Sequence, residues 1–123
     1  MKIYIAHSKK IPYQKELYEP IINSPFYHNH TFIFPHIKTE KSENTRKFYK
    51  SLDLIFAEVS LAGTGLGIEL GWAFDDNIPI FCFYKKGSKI ANSLQCITSN
   101  FFEYENENEM IRLMENILNG IEQ

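Results

Sequence analysis

Residues 54–59, with the sequence LIFAEV, are almost entirely apolar and lack the alternation of a strand that has one face in water. Such a run is typical of a strand buried on both faces, as in parallel sheets covered by helices. Shorter apolar or aromatic runs predict four further strands, at 2–6, 31–34, 78–84 and 101–104. Segments with helical spacing or a polar helical pattern alternate with these runs, at 13–22, 44–52, 66–74, 90–96 and 108–121.

This alternation predicts an α/β protein with helices on both faces of one parallel sheet. Right-handed crossovers between about five strands favour a flavodoxin-like or Rossmann-like sheet in the order 2-1-3-4-5. The length of 123 residues fits a single domain spanning 1–123. Ligands of such sheets bind at the carboxyl ends of the strands, so four predicted loops should share one rim: 6–11, 35–38, 60–67 and 85–89.

Net charge and cysteine content limit the kinds of partner and ligand that the chain is expected to bind. The net charge of −2 gives no electrostatic footprint for nucleic acid, and the apolar runs are far shorter than a membrane helix needs. The two cysteines have no metal-ligand spacing, so we predict neither a metal nor a cofactor. Without a signal-peptide pattern, the chain is expected to be cytoplasmic.

The loop SLAGTGLG at 60–67 can expose several backbone N–H groups at the start of a helix, which suits an anion. It is neither a Walker A loop nor a dinucleotide fingerprint. Two interpretations remain open from spacing alone: a ligand cradle formed around Gly63, Thr64, Gly65 and Gly67, or glycines that only permit a tight turn.

Glu69 is expected in the first turn of the following helix, where the helix dipole would keep it ionised. An ionised carboxylate at this rim could attack an electrophilic carbon, or it could merely cap the helix.

The other rim loops carry polar side chains that could serve a ligand. Ser8 and Lys10 follow the first strand and would suit a phosphate. His7 and His36 each follow a strand and could transfer a proton near neutral pH, although a lone histidine is more often structural. Glu58 ends an apolar strand, where a carboxylate needs partners such as backbone amides.

Three segments together resemble the nucleoside 2-deoxyribosyltransferase superfamily, and most closely its 2'-deoxynucleoside 5'-phosphate N-hydrolase branch: DLIFAEVS at 53–60, GLGIELGWA at 65–73 and IPI at 78–80. The segment HSKK at 7–10 is similar to the phosphate segment of that branch. The resemblance implies that Glu69 is the nucleophile: it would attack the anomeric carbon and expel the base, and water or a second base would resolve the glycosyl ester.

Four positions differ from the pattern of that branch or match it only loosely. Thr45 stands where the branch carries an aspartate that assists the leaving base. Gly63 replaces a phosphate-binding serine, for which Thr64 could substitute. Lys10 replaces an arginine, which keeps the charge but loses the bidentate fork. Ser93 matches a serine that the family lends to the phosphate site of the neighbouring subunit.

Three functions follow as alternatives. The chain cleaves or transfers the N-glycosidic bond of a nucleoside or nucleotide, with His36 as the first candidate for the leaving-base proton and His7 as the second. Alternatively, it is a nucleotide-binding module of the same fold that has lost turnover, in keeping with Thr45. A third possibility is cleavage of a larger glycoside such as NAD. The aromatic content of 15% and the resemblance also predict a homodimer.

Overall fold

The computed structural model describes residues 1–35 and 45–122. Within them, five strands form one sheet in which every neighbouring pair is parallel. The strands are β1 (Lys2–His7), β2 (Thr31–Ile33), β3 (Leu54–Glu58), β4 (Ile80–Lys85) and β5 (Phe101–Tyr104). Their order is β2-β1-β3-β4-β5, which confirms the predicted topology.

The helices differ in detail from the prediction. The α-helices are α1 (Glu19–Ile22), α2 (Thr64–Asp75) and α3 (Glu107–Glu122). A π-helical turn, Gln14–Tyr18, runs directly into α1, and 3₁₀ helices lie at Tyr27–Asn29, Thr45–Ser51 and Asn92–Cys96. The predicted helix at 44–52 is therefore a 3₁₀ helix over its described part. Helix α2 starts two residues earlier than predicted, because the exposed residues Thr64 and Gly65 extend it beyond the apolar pattern that marked its start.

Side chains along the strands alternate between two cores. Ile3 and Ile5 of β1 pack on the face that carries α1 and α3. Tyr4 and Ala6 pack on the opposite face, with α2 and the 3₁₀ helix Thr45–Ser51. By the same alternation, the last residue of β1, His7, belongs to the α1–α3 face, whereas Tyr4 faces α2. The polar side chains of His7 and Tyr4 therefore lie on opposite faces of the sheet.

No helix among the described residues has the length and apolar character that crossing a membrane requires.

Candidate functional site

The loops that follow β1 and β3 touch at the carboxyl rim of the sheet. The Ser8 hydroxyl donates to the carbonyl oxygen of Ala62 over 3.3 Å. A Cβ atom on Gly63 would lie 3.1 Å from Ser8 Oγ and 3.4 Å from Ser8 Cα. Gly63 has an extended backbone, with φ −157°, so glycine is favoured there by this close approach and not by an unusual dihedral angle.

Helix α2 begins at this contact. Gly63 is its N-cap and has no side-chain cap, while its carbonyl accepts from the N–H of Gly67 over 3.0 Å. The first N–H groups of a helix have no partner within the helix, and Thr64 and Gly65, which carry two of them, are exposed. The exposed start of α2 can therefore receive an anion.

Ser8 and Lys10 join this helix start through the loop after β1. The Ser8 hydroxyl accepts the backbone N–H of Lys10 over 3.1 Å and is itself buried against Gly63. The Lys10 side chain is exposed, so its ammonium group can move towards a ligand. The structure thus brings together two segments that were singled out separately in the sequence: Ser8 and Lys10 after β1, and Gly63, Thr64 and Gly65 after β3.

Glu69 is the sixth residue of α2, which corrects the expectation that it lies in the first turn. Helical side chains tilt towards the helix N-terminus, so its carboxylate leans back towards the rim. Oε2 accepts a hydrogen bond from the Tyr4 hydroxyl. Burial raises the pKa of Glu69, and hydrogen bonding with Tyr4 and Tyr49 opposes that rise. The ionisation of Glu69 is therefore set by burial and by two phenols, and not by the first turn of the helix.

Tyr4 and Tyr49 were missed by the sequence analysis as site residues. Both side chains are fully buried, with their ring centroids 5.4 Å apart. Burial and the charge of Glu69 raise the pKa of both phenols, so both keep their protons and can donate. The available signal was a tyrosine within the apolar strand β1, since a buried tyrosine hydroxyl normally requires a polar partner.

Arg46 links two elements: it belongs to the 3₁₀ helix that carries Tyr49, and it binds acidic residues at the end of α2. Its guanidinium binds both carboxylate oxygens of Asp76, with Nη2 at 3.1 Å from Oδ1, and reaches Asp75 Oδ2 at 3.3 Å. The same group lies 5.9 Å from the ring centre of Trp72, and the Trp72 ring meets Tyr49 edge-on at 5.7 Å. These contacts hold Tyr49 against α2 near Glu69.

A second carboxylate, Glu58, ends β3 on the other face of the sheet. It is buried, and its two oxygens accept the backbone N–H of Ser60 at 2.6 Å, the Ser60 hydroxyl at 2.9 Å and the Tyr104 hydroxyl. The Ser60 hydroxyl also accepts the backbone N–H of Lys85 over 2.8 Å. The expected backbone amide partner is confirmed, and the network ties the ends of β3, β4 and β5 together.

His7 lies next to Glu58 in the sheet and is also enclosed. Its Nδ1 lies 2.9 Å from the Ser8 carbonyl oxygen and its Nε2 lies 2.5 Å from the Tyr18 hydroxyl. Because a carbonyl oxygen only accepts, Nδ1 must carry the proton, and in the neutral ring Nε2 accepts from Tyr18. The ring also stacks on Tyr13 at 4.5 Å. The structure therefore places His7 across the sheet from Glu69, and its substrate role stays a prediction.

The described structure does not test three further predicted positions. His36 lies outside the described residues, as does the side chain of Thr45. Ser93 is exposed on the 3₁₀ helix Asn92–Cys96, and its service to a neighbouring subunit stays a prediction. Over 1–35 and 45–122, no group of three or more histidine, cysteine or acidic side chains is arranged to hold a metal ion.

Neither a known protein-family model nor a curated protein matches this sequence. Many solved structures share its fold, and three of them illustrate the likeness. The CMP N-glycosidase BcmB of Clostridium botulinum has a TM-score of 0.72 at 17% identity, covering 95% of this chain and 99% of that one. A conserved protein from Enterococcus faecalis V583 has a TM-score of 0.64 at 15% identity, covering 94% and 98%.

The third structure is a 2-deoxyribosyltransferase from Bacillus psychrosaccharolyticus. It has a TM-score of 0.57 at 22% identity and covers 90% of each chain. These likenesses extend over nearly the whole chain, and what they establish is a common fold.

Proposed function

We propose that the chain cleaves or transfers the N-glycosidic bond of a nucleoside or its 5'-monophosphate, with Glu69 as the nucleophile. The observation that carries this proposal is the Glu69 carboxylate, which accepts a hydrogen bond from the Tyr4 hydroxyl and belongs to the helix with the exposed start. Two structures with the same fold are named as a CMP N-glycosidase and a 2-deoxyribosyltransferase, which supports the same class of bond.

In the proposed reaction, ionised Glu69 attacks the anomeric carbon as the bond to the base breaks. The base leaves with the electron pair of the C–N bond, and a glycosyl ester forms on Glu69. Water or a second base then attacks the same carbon and releases the carboxylate, so the configuration is retained overall. The helix start and Lys10 would hold a 5'-phosphate or sugar hydroxyls during both steps.

The leaving base must also gain a proton. His36 is the first candidate because it follows β2 in the sequence. His7, the second, would have to exchange its hydrogen bond with Tyr18 for one to the base. Replacing Thr45 by aspartate restores the family acid, so a higher rate in Thr45→Asp would indicate that the natural chain lacks an efficient donor.

The alternative function is a nucleotide-binding module without turnover. Thr45 in place of the aspartate favours it, and the exposed start of α2 could hold a phosphate in either case. The deciding experiment incubates the protein with a panel of nucleosides, monophosphates and NAD, and follows free base by chromatography and binding by calorimetry. Base release supports the enzyme; binding without release from any compound supports the module and overturns the enzyme.

The phosphate contact is tested separately. Lys10→Ala should weaken the binding of a 5'-monophosphate more than that of the matching nucleoside, because the nucleoside has no anion for the ammonium group to contact. Lys9→Ala is the matched control, since Lys9 is a neighbouring exposed lysine without a proposed contact. If Lys10→Ala weakened the binding of both ligands equally, Lys10 would not be a phosphate contact.

We also propose that the protein forms a homodimer and that Ser93 contributes to the site of the partner. Exposed apolar side chains support self-association: Ile68 and Phe74 of α2 are 49% and 54% exposed. Light scattering should give about twice the chain mass of 14.4 kDa at micromolar concentration. A monomer would overturn the dimer together with the role of Ser93.

A further inference from the structure

We propose that Tyr18 is a positioning residue for the phosphate contacts at the rim: it holds the ring of His7, and that ring fixes the backbone of Ser8. This inference rests on the proposed function for the identity of the anion, but the state of the His7 ring can be measured without any ligand. It also gives His7 a role that does not require contact with the base.

The first argument is a continuous chain of hydrogen bonds from Tyr18 to the start of α2. The Tyr18 hydroxyl donates to His7 Nε2 over 2.5 Å, and His7 Nδ1 donates to the carbonyl oxygen of Ser8 over 2.9 Å. The hydroxyl of Ser8 in turn donates to the Ala62 carbonyl and accepts the backbone N–H of Lys10. The orientation of Ser8 therefore connects the position of Lys10 to the loop that leads into α2.

The second argument is the packing of the His7 ring. The residue is 4% exposed, the Tyr13 ring stacks on its face at 4.5 Å, and the Tyr18 ring meets it edge-on at 5.2 Å. Tyr18 is itself buried and lies 4.7 Å from the ring of Phe34. Because Tyr13 and Tyr18 both follow the loop 8–12, their contacts with His7 fasten the end of that loop to the strand at which it begins.

The third argument is the close fit at the far end of this chain of hydrogen bonds. Ser8 lies so close to Gly63, the N-cap of α2, that a Cβ on Gly63 would come within 3.1 Å of Ser8 Oγ. Closely packed groups transmit small displacements, so a rotation of Ser8 changes its contact with the helix start as well as its bond to Lys10. One anion can meet both only if their spacing is kept, and the buried bond from His7 keeps Ser8 in place.

The first measurement is of the ring itself. At a pH two units above the ordinary histidine pKa of about 6.5, ¹⁵N NMR of the natural chain should show His7 with a proton on Nδ1 and none on Nε2. Tyr18→Phe keeps the aromatic ring and removes only the donor to Nε2, so the Nε2 resonance should move downfield. The signal is assigned by its loss in His7→Gln. A proton on Nε2 in the natural chain overturns the inference.

The second measurement separates positioning from stability, since a buried histidine requires partners at both nitrogens whatever its role. Inorganic phosphate is titrated into ¹⁵N-labelled protein, and its dissociation constant is read from the backbone amide signals of Lys10 and Gly65. Tyr18→Phe should raise that constant about five-fold, the effect of one ordinary hydrogen bond on an equilibrium. Tyr104→Phe is the matched control and should leave the constant unchanged, because it removes a buried hydroxyl on the same face of the sheet without touching the loop 8–12.

A double-mutant cycle then assigns the effect to the His7 ring. If Tyr18 acts through His7, Tyr18→Phe should not weaken phosphate binding further in a His7→Gln background. Three results overturn the inference: unchanged phosphate affinity in Tyr18→Phe, an equal loss in Tyr104→Phe, or no phosphate binding by the natural chain. Phosphate binding that depends on Tyr18, in a protein that releases no base from any compound, keeps the inference and rejects only the proposed enzyme activity.

Discussion

Glu58 and Glu69 are two carboxylates on opposite faces of one sheet, and each accepts a hydrogen bond from a tyrosine. They differ in burial and in how many donors surround them. Glu58 is 3% exposed and accepts three hydrogen bonds, two of them from Ser60 in its own loop. Glu69 is only half-buried and is approached by phenols from distant segments. One carboxylate is enclosed, and the other is partly exposed.

The comparison shows why a carboxylate next to a tyrosine is not by itself a candidate nucleophile. A carboxylate whose acceptor positions are filled by backbone and hydroxyl donors is stabilised in place and has little capacity left for a substrate. Glu69 instead is partly exposed and belongs to the helix whose first residues, Thr64 and Gly65, are exposed. The loop 60–63 connects the two environments.

The largest expected effect is on activity, which substitution of Glu69 should lower far more than substitution of Glu58. Glu69→Gln should lower base release by roughly 10³-fold or more, because an amide cannot form the glycosyl ester. Glu58→Gln should keep most activity, since its amide oxygen can still accept from the N–H of Ser60. Chromatographic assay of free base on the substrate found in the panel measures both. Similar losses in the two variants would break the comparison.

The second effect separates them by stability. Glu58→Ala leaves three buried donors without their acceptor and should lower the free energy of unfolding by roughly 2–4 kcal/mol. Glu69→Ala should cost less, because Glu69 is only half-buried and fewer buried donors lose their acceptor. Urea denaturation followed by circular dichroism measures both changes, and Glu58→Gln should recover part of the loss. A larger loss in Glu69→Ala than in Glu58→Ala would contradict this order.

The third prediction concerns the loop between the two sites. Gly63→Ala places a Cβ 3.1 Å from Ser8 Oγ and should cost about 1–3 kcal/mol through overpacking. Gly67→Ala is the control: no atom outside its own helix backbone and chain neighbours lies within 4 Å of its added Cβ, so it should gain roughly 0.5–1 kcal/mol of helix stability. Thermal unfolding of both variants at one pH tests the pair. A neutral Gly63→Ala would show that the Ser8 contact yields easily.

The smallest expected effect is a pH dependence that belongs to Glu69. Its pKa is raised in the folded protein, so the folded state binds this proton more tightly than the unfolded state. The resulting stability is present below the ordinary glutamate pKa and is lost as pH rises through the folded value. Denaturation across this pH range should show that the free energy of unfolding falls less with rising pH in Glu69→Gln than in the natural chain. Parallel curves would place the raised pKa on another group.

Much of the architecture could be predicted because it follows from local sequence patterns. The apolar run at 54–59 and the β–α alternation specify a parallel sheet, and the handedness of crossovers limits its order. The loops at one rim follow from that order, which is why Ser8 and Gly63 could be placed together before their contact was seen. Glu69 was identifiable because it follows a glycine-rich loop in a recognisable context.

Only the tertiary structure decided what surrounds each carboxylate. The hydrogen bond from Tyr4 to Glu69 joins residues 65 positions apart, and that from Tyr104 to Glu58 joins residues 46 positions apart. Local periodicity places a tyrosine on a face of a strand, but it does not say which acid another element brings to its hydroxyl. Burial then sets the pKa of Glu69, and burial is a property of the packed elements together. The sequence by itself therefore determined the sheet, its rim and the candidate acid, and packing determined how that acid is held.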